Sequence, residues 1–143
     1  MAVEDTSDIF TGEGYAVGSL EALGDGYGFR KIRRGLGVTA FGINAIVIPP
    51  GYETGRHYHD EQEETYFVHR GTVEFEFGDG TAYVLRAGGL ARVDPATVRR
   101  IKNVGEEDAV FVVAGGKDGY VGRDGHMPEG EQRGRASGPP GAA

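Results

Sequence analysis

Short apolar runs separated by glycine-rich turns dominate the chain from about residue 27 to residue 115. Residues 73–77, Val-Glu-Phe-Glu-Phe, alternate strictly, which is typical of a strand with one face on a core and the other toward solvent. Residues 109–114, AVFVVA, are wholly apolar and predict another strand. Strands at this close spacing, with almost no helical periodicity between them, predict an all-β sandwich or barrel.

Further strands are predicted on both sides of the alternating segment. A proline pair cannot sit inside a sheet, so Pro49 and Pro50 mark the end of a long β-branched run. The tripeptide Gly-Asp-Gly at residues 78–80 predicts a hairpin turn. Residues 28–34 predict a basic edge strand. Further strands are predicted at residues 38–48, 81–86, 90–93 and 98–103.

The two ends of the chain lack this strand pattern. Residues 1–26 predict an N-terminal arm with one short helical turn, which Ser19 can cap and Gly24 can end. The barrel domain is predicted over residues 27–115. Residues 116–143 form a C-terminal extension, and its composition from about residue 127 predicts a disordered tail, because it offers little apolar surface to bury. His126 is interpreted as a flexible surface histidine.

The composition narrows the classes of function. A chain of 143 residues with 22 acidic against 15 basic residues carries a formal net charge of −7. This balance argues against a nucleic-acid partner or an anionic membrane surface. The sequence has no cysteine, so neither disulfides nor thiol chemistry are available. The N-terminus lacks the apolar core of a signal peptide, and a cytoplasmic protein is expected.

Three of the four histidines fall within residues 51–71. His57 and His59 are two residues apart, so in an extended segment both side chains point to the same side and can reach one point. Glu64 begins the next apolar run and shares its face with Tyr66. Two imidazoles and one carboxylate suit a divalent transition metal. Two surface histidines beside a solvated acidic run are the alternative reading of an isolated HxH.

This stretch resembles the first motif of the cupins, written G(X)5HXH(X)4E(X)6G. Its fixed positions are occupied, in order, by Gly51, His57, His59, Glu64 and Gly71. The resemblance implies a cupin-type jelly-roll β-barrel with a divalent transition metal held by the two histidines and the glutamate. Iron, manganese, nickel and zinc are the candidate ions. The resemblance also implies a homodimer, for which the apolar Phe67 on the outer face would be a contact.

The second cupin motif, G(X)5PXG(X)2H(X)3N, is only partly present. Gly88 and Asn103 match at the correct spacing. Asp94 stands at the proline position, Ala96 at the second glycine position, and Arg99 at the position of the histidine that is usually the fourth metal ligand. A guanidinium stays protonated and offers no lone pair, so it cannot replace that ligand.

The replacement by Arg99 leaves two interpretations. Three protein ligands would leave open metal positions for water or substrate, and Arg99 in the same pocket would either support a metal ligand or bind a small anionic substrate. Alternatively, Arg99 pairs directly with Glu64 in a metal-free pocket. Alternation supports an inward Arg99, because it shares a face with Ile101 and Asn103.

Two classes of function follow from these interpretations. The first is an enzyme of oxygenase, isomerase or cyclase type that acts on a small organic substrate, with Tyr66 and Arg99 as its catalytic groups beside the metal. The second is a metal-free module that binds a small molecule without chemistry. The intact set of His57, His59 and Glu64 favours the enzyme.

Overall fold

Two antiparallel five-stranded sheets pack face to face and form the body of the domain. The structure is a computed structural model that describes residues 8–131 and 135–136. The predicted all-β jelly-roll fold is confirmed, with two sheets that remain separate in the described residues rather than closing into one barrel.

The strands of the first sheet are β3 (Gly28–Arg30), β4 (Gly42–Ile48), β7 (Glu63–Arg70), β10 (Leu90–Val93) and β12 (Ala109–Gly116). Those of the second sheet are β5 (Tyr52–Glu53), β8 (Thr72–Phe77), β9 (Ala82–Arg86), β11 (Arg99–Asn103) and β14 (Arg135–Ala136). The strand order is β10-β7-β12-β4-β3 in the first sheet and β14-β5-β11-β8-β9 in the second. Two small sheets complete the set, one of β1 (Phe10–Gly12) with β2 (Tyr15–Val17) and one of β6 (Tyr58–His59) with β13 (Gly125–His126).

The hydrophobic core lies between the two large sheets. Strand β7 contributes one face to this core, because its side chains alternate between exposed and buried from Glu63 to Val68. Its buried members meet inward residues of the neighbouring strands and of the opposite sheet. The buried core comprises Ile48, Tyr66, Val68, Val73, Phe75, Val93, Ile101, Ala109 and Phe111.

The helical content differs in part from the prediction. The expected turn near Ser19 is present as a 3-10 helix over Leu20–Leu23, without a side-chain hydrogen bond from Ser19. The predicted basic strand at residues 28–34 is wrong in its second half. Only Gly28–Arg30 is a strand, at the edge of the first sheet, and an α-helix, α1, follows at Ile32–Leu36. Its C-cap Gly37 adopts the left-handed conformation that ends the helix.

The outer face of the second sheet carries a buried ion cluster that the alternation did not indicate. Glu74 and Glu76 were expected to face water, but both are half-buried and bind Arg100 at 2.7 and 3.4 Å. Glu53 on strand β5 binds the same guanidinium at 3.0 Å. Arg100 is only 8% exposed, because the carboxylates of neighbouring strands surround it. Alternation predicts on which face of the sheet a side chain lies. The side chains of the neighbouring strands determine whether it is exposed to solvent there.

The C-terminal extension returns to the domain at two places. Gly125–His126 pairs with Tyr58–His59, and the ring of His126 binds the carboxylate of Asp60 at 2.7 Å, so the interpretation of a flexible histidine is corrected. Arg135–Ala136 pairs with strand β5. These residues belong to the expected disordered tail, yet they form backbone pairs. The other residues of that tail beyond residue 131, and residues 1–7 of the N-terminal arm, lie outside the described residues.

The described helices include none long and apolar enough to cross a membrane. On the outer face of the first sheet, Phe67 is 42% exposed and lies in register with Leu90, which is 67% exposed. The apolar character expected for this face is therefore present in the structure. The homodimer itself stays a prediction.

Gly71 turns the chain from β7 into β8 with a φ of +84°. A Cβ atom at this position would lie 2.9 Å from the Cα of Ala109 and 3.0 Å from the carbonyl oxygen of Asp108. Gly71→Ala is therefore expected to lower the free energy of unfolding by about 1–3 kcal/mol, through left-handed backbone strain and a contact with rigid backbone. Urea unfolding measures the loss.

Gly80→Ala is the matched control for this substitution. Gly80 has a similar φ of +88°, but a Cβ atom there would have no neighbour within 4 Å. Its cost should be confined to backbone strain and should be smaller than that at Gly71. Equal losses in the two variants would contradict a packing role for Gly71.

Candidate metal centre

The three predicted ligands come from two adjoining parts of the chain. His57 is held by a reciprocal backbone pair with Arg99 on strand β11, at 3.1 and 3.0 Å. The backbone of His59 on β6 donates to the carbonyl oxygen of Pro95 at 2.7 Å. Glu64 stands near the start of β7 on its buried face. The loop between β6 and β7 is short, so both histidines and the glutamate are presented to one end of the core.

The ligand atoms of His57, His59 and Glu64 converge, all within 4.8 Å of one another. Nε2 of His59 lies 3.3 Å from Oε1 of Glu64, and Nε2 of His57 lies 3.9 Å from the same oxygen. The two rings meet edge to face, with centroids 5.2 Å apart. The side chain of His57 is 28% exposed, against 10% for each of the other two. Solvent therefore reaches the group from the side of His57.

Glu64 also receives hydrogen bonds from two buried donors. The Tyr66 hydroxyl donates to Oε1 at 2.6 Å, and Nη2 of Arg99 donates to the same oxygen at 2.7 Å. Tyr66 and Glu64 are two residues apart on one strand, so the alternation of side chains brings them to the same face, as predicted. The arginine arrives from the opposite sheet.

Arg99 is fully buried, and its hydrogen bonds stay within the domain. Nη1 donates to the carbonyl oxygens of Thr97 at 2.6 Å and Pro95 at 3.1 Å, while Nη2 binds Glu64. Two roles were expected for Arg99 beside a metal, and these contacts match support of a metal ligand. They do not match direct contact with a substrate, because the guanidinium is 0% exposed. The pairing of Arg99 with Glu64 is also the contact that the metal-free interpretation expected.

The charges of the group follow from these contacts. Burial alone would raise the pKa of the Glu64 carboxyl, but the adjacent imidazoles of His57 and His59 and the hydrogen bond from Tyr66 outweigh burial and hold that pKa well below its usual range. Burial and the adjacent Glu64 charge raise the pKa of the Tyr66 phenol. Glu64 is thus ionised and Tyr66 is protonated, which suits the donation from the hydroxyl to the carboxylate.

Asp124 is a member of the site that the sequence did not indicate. Its Oδ1 lies 2.7 Å from Nδ1 of His59 and accepts from Nε2 of Gln62 at 2.6 Å. Burial alone would raise the pKa of Asp124, but the donors from Gln62, Glu61 and His59 outweigh it and lower that pKa below its usual range. Asp124 is 65 residues from His59 in the sequence and stands in a polar, glycine-rich segment, so no local signal marked it.

The donor set fits a divalent transition metal. The Nδ1 side of His59 is taken by Asp124, while its Nε2 is buried and has no hydrogen-bond partner among the described residues. That nitrogen faces the other imidazole and the carboxylate. A buried nitrogen aimed at a carboxylate needs either a proton or a metal ion. Two imidazole nitrogens and one carboxylate oxygen are ligands that iron, manganese, nickel and zinc accept.

The Cupin domain family matches residues 45–115, which is about half of the chain. The matched segment runs from β4 to β12 and contains all three ligand residues. The chain belongs to the cupin superfamily. Asp124 lies beyond the matched segment of this cupin, so the contact to His59 is made by its C-terminal extension.

Solved structures share the fold of this chain. A protein with a double-stranded β-helix domain from Klebsiella pneumoniae is 26% identical, with a TM-score of 0.57 over 63% of this chain and 76% of its own. A variant of oxalate decarboxylase from Bacillus subtilis is 22% identical over 62% of this cupin and 24% of its own chain, with a TM-score of 0.53. A capsular polysaccharide assembling protein from Staphylococcus aureus is 17% identical over 63% and 29%, with a TM-score of 0.55. No curated protein sequence matches the chain.

Asn103 of the second motif has a structural role in this cupin. Its side-chain amide donates to the carbonyl oxygens of Ile48 and Glu107 at 3.0 and 2.9 Å, and its Oδ1 accepts from the backbone of Gly105 at 2.9 Å. The residue is 1% exposed. It therefore fixes the turn after β11 and takes no part in the metal group.

Proposed function

We propose that this cupin binds one divalent transition metal through His57, His59 and Glu64 and acts as an enzyme on a small anionic organic substrate. The observation that carries the proposal is the convergence of the three ligand atoms within 4.8 Å, together with the buried His59 Nε2 that lacks a hydrogen bond. A metal bound there would supply a Lewis acid with open positions for a substrate oxygen.

The residues around the ligands support this assignment. Arg99 and Tyr66 both bind Oε1 of Glu64, so they hold the carboxylate in place and keep it ionised. Asp124 contacts Nδ1 of His59, on the side of the ring away from Glu64, and so fixes the orientation of the ring. Neither Arg99 nor Tyr66 is exposed to a ligand, which makes both of them supports of the carboxylate in this proposal.

The charge balance favours an anionic substrate. Arg99 and Glu64 cancel, and one further negative charge stands at Asp124, so a divalent ion would leave the site with one net positive charge. An anion such as a carboxylate or enolate would neutralise it by binding at the metal, where His57 opens the site to solvent. This differs from the expectation that the guanidinium itself would hold the anion.

A second function is favoured by the same Arg99–Glu64 pair. With the pair formed at 2.7 Å, Glu64 already has a cationic partner and does not require a metal. In that case the cupin would be a metal-free module that binds a small molecule. The two functions make opposite predictions about metal content.

Metal analysis decides between these functions. The purified protein is offered Fe²⁺, Mn²⁺, Ni²⁺ and Zn²⁺ in turn, desalted, and measured by elemental analysis; we expect about one ion per chain for at least one of them, as one three-ligand group implies. A chain that stays metal-free with all four would contradict the enzyme and support the binding module.

The Co²⁺-loaded protein tests the substrate class, since its visible spectrum should change with acetate or azide and not with glycerol.

A further inference from the structure

The segment Asp124–His126, called here the C-terminal latch, closes over the loop that carries the histidine ligands. Its strand pairs with β6, with Gly125 opposite His59 and His126 opposite Tyr58. The carbonyl oxygen of Asp124 also accepts from the backbone of Asp60 at 3.2 Å. The latch therefore binds the ligand loop through backbone contacts as well as through side chains.

The Asp124 carboxylate is the centre of the latch. Its Oδ1 contacts Nδ1 of His59 at 2.7 Å, and its Oδ2 accepts from the backbone N–H groups of Glu61 and Gln62 at 2.8 and 3.1 Å. The side chain of Gln62 adds a further donor at 2.6 Å. Four donors hold the carboxylate in one orientation, and only one of them is the histidine ring. The position of the carboxylate therefore does not depend on His59.

A carboxylate in this position determines which nitrogen of the neutral ring carries the proton. An ionised carboxylate can only accept, so Nδ1 of His59 must be the N–H donor. In the neutral ring the lone pair then lies on Nε2, which faces Glu64 at 3.3 Å. That lone pair is the electron pair that a metal needs from an imidazole.

We infer that Asp124 is a positioning residue that sets the tautomer and ring orientation of His59, so that its Nε2 lone pair faces His57 and Glu64. The role of Asp124 in metal binding rests on the proposed function. The protonation of His59 at Nδ1, in contrast, is expected in the protein without metal as well. It also assigns a role to the C-terminal extension, which lies outside the matched Cupin domain. The extension completes the site by holding one of its ligands.

Asp124→Ala tests the inference by two measurements. The affinity for Zn²⁺, measured by competition with a chromogenic chelator, should fall by about 10–100-fold, the range typical for loss of an outer partner of a metal-bound histidine. The ¹⁵N shifts of the His59 ring, recorded without metal at an alkaline pH where the ring is neutral, should show Nδ1 protonated in the wild type. In the variant they should move toward Nε2 protonation, which a loss of packing alone would not produce.

Asp60→Ala is the matched control within the same latch. Asp60 binds His126 at 2.7 Å, so this substitution weakens the docking of the latch without removing the contact between Asp124 and His59. Its Zn²⁺ affinity and its His59 tautomer should stay close to those of the wild type. Equal losses of affinity in both variants would overturn the inference, because they would show that docking of the latch alone matters.

Asp124→Asn guards against a variant that fails to fold, since it keeps the size of the side chain. The backbone N–H groups of Glu61 and Gln62 require an acceptor, so the asparagine amide should turn its oxygen to them and its NH2 group to Nδ1 of His59. The ring should then move toward Nε2 protonation, and Zn²⁺ affinity should fall although the volume of the side chain is unchanged. A wild-type ring protonated at Nε2 would overturn the inference directly. A wild type that binds no metal but shows Nδ1 protonation would overturn the proposed function and leave the role of Asp124 supported.

Discussion

Replacing Arg99 with methionine is expected to lower the free energy of unfolding by about 3–5 kcal/mol, the usual cost of removing one partner of a buried ion pair. The guanidinium is 0% exposed and binds Glu64 at 2.7 Å. Methionine would leave that carboxylate without its cation and would remove the side-chain donor to the carbonyl oxygens of Thr97 and Pro95, of which Pro95 keeps the backbone N–H of His59. Urea unfolding of the metal-free protein measures the loss.

Arg92→Met is the matched control for Arg99. Arg92 pairs with Asp94 at 3.6 Å, but the two side chains are 69% and 61% exposed. Exposed pairs contribute about 0–1 kcal/mol, so this variant should stay close to the wild type. A loss at Arg99 no larger than that at Arg92 would contradict a stabilising buried pair.

The double variant Arg99→Met with Glu64→Gln isolates the source of the loss. Glutamine keeps the shape of the carboxylate without its charge, so the double variant should be more stable than Arg99→Met alone. Divalent metal should also restore part of the stability of Arg99→Met, because the ion would replace the lost cation beside Glu64. Restoration by metal would link the ion pair to the proposed metal centre.

Replacing His57 with alanine is expected to abolish stoichiometric metal binding. Loss of a direct ligand should cost more than the roughly 10–100-fold in affinity that follows loss of an outer partner. Removing His57 should disturb the fold less than removing either of the other two ligands, since its side chain is 28% exposed and its polar contacts with Gly55 and Glu64 are long, at 3.5 and 3.9 Å. The variant should therefore fold normally, which a melting curve can check.

His69→Ala is the control for the ligand variant. His69 lies on the exposed face of β7, opposite to Glu64, and should leave metal content and affinity unchanged. His59→Ala should also lose the metal, but it removes the partner of Asp124 as well and is expected to lose stability too. Elemental analysis and chelator competition report on all three variants. Unaltered binding in His57→Ala would contradict the proposed ligand set.

Much of the fold could be predicted because the deciding signals are local. Side chains in a strand alternate with a period of two, so the inward face of β7, with Glu64, Tyr66 and Val68, can be read from the sequence. Proline pairs and glycine turns end strands for reasons of backbone geometry alone. The α1 helix was missed because Ile32–Leu36 is a single basic turn whose composition resembles that of an exposed strand.

In the candidate site, too, the positions of some residues follow from local sequence, and those of others depend on distant parts of the chain. The sequence alone predicted that His57, His59 and Glu64 meet, because their spacing lets the three side chains reach one point, and the structure confirms the meeting. It also determined that Arg99 points inward with Ile101 and Asn103. It could not choose between a substrate contact and an ion pair for Arg99.

Only the tertiary structure decided the partners of these residues. Arg99 reaches Glu64 across 35 positions of sequence, and Asp124 reaches His59 across 65. Such contacts depend on how two sheets and a returning segment pack, and no periodicity of a single strand encodes that. The same is true of Arg100, which follows Arg99 and therefore takes the outer face of β11, where neighbouring carboxylates bury it. Local geometry specified which way each side chain points, and packing specified what it meets.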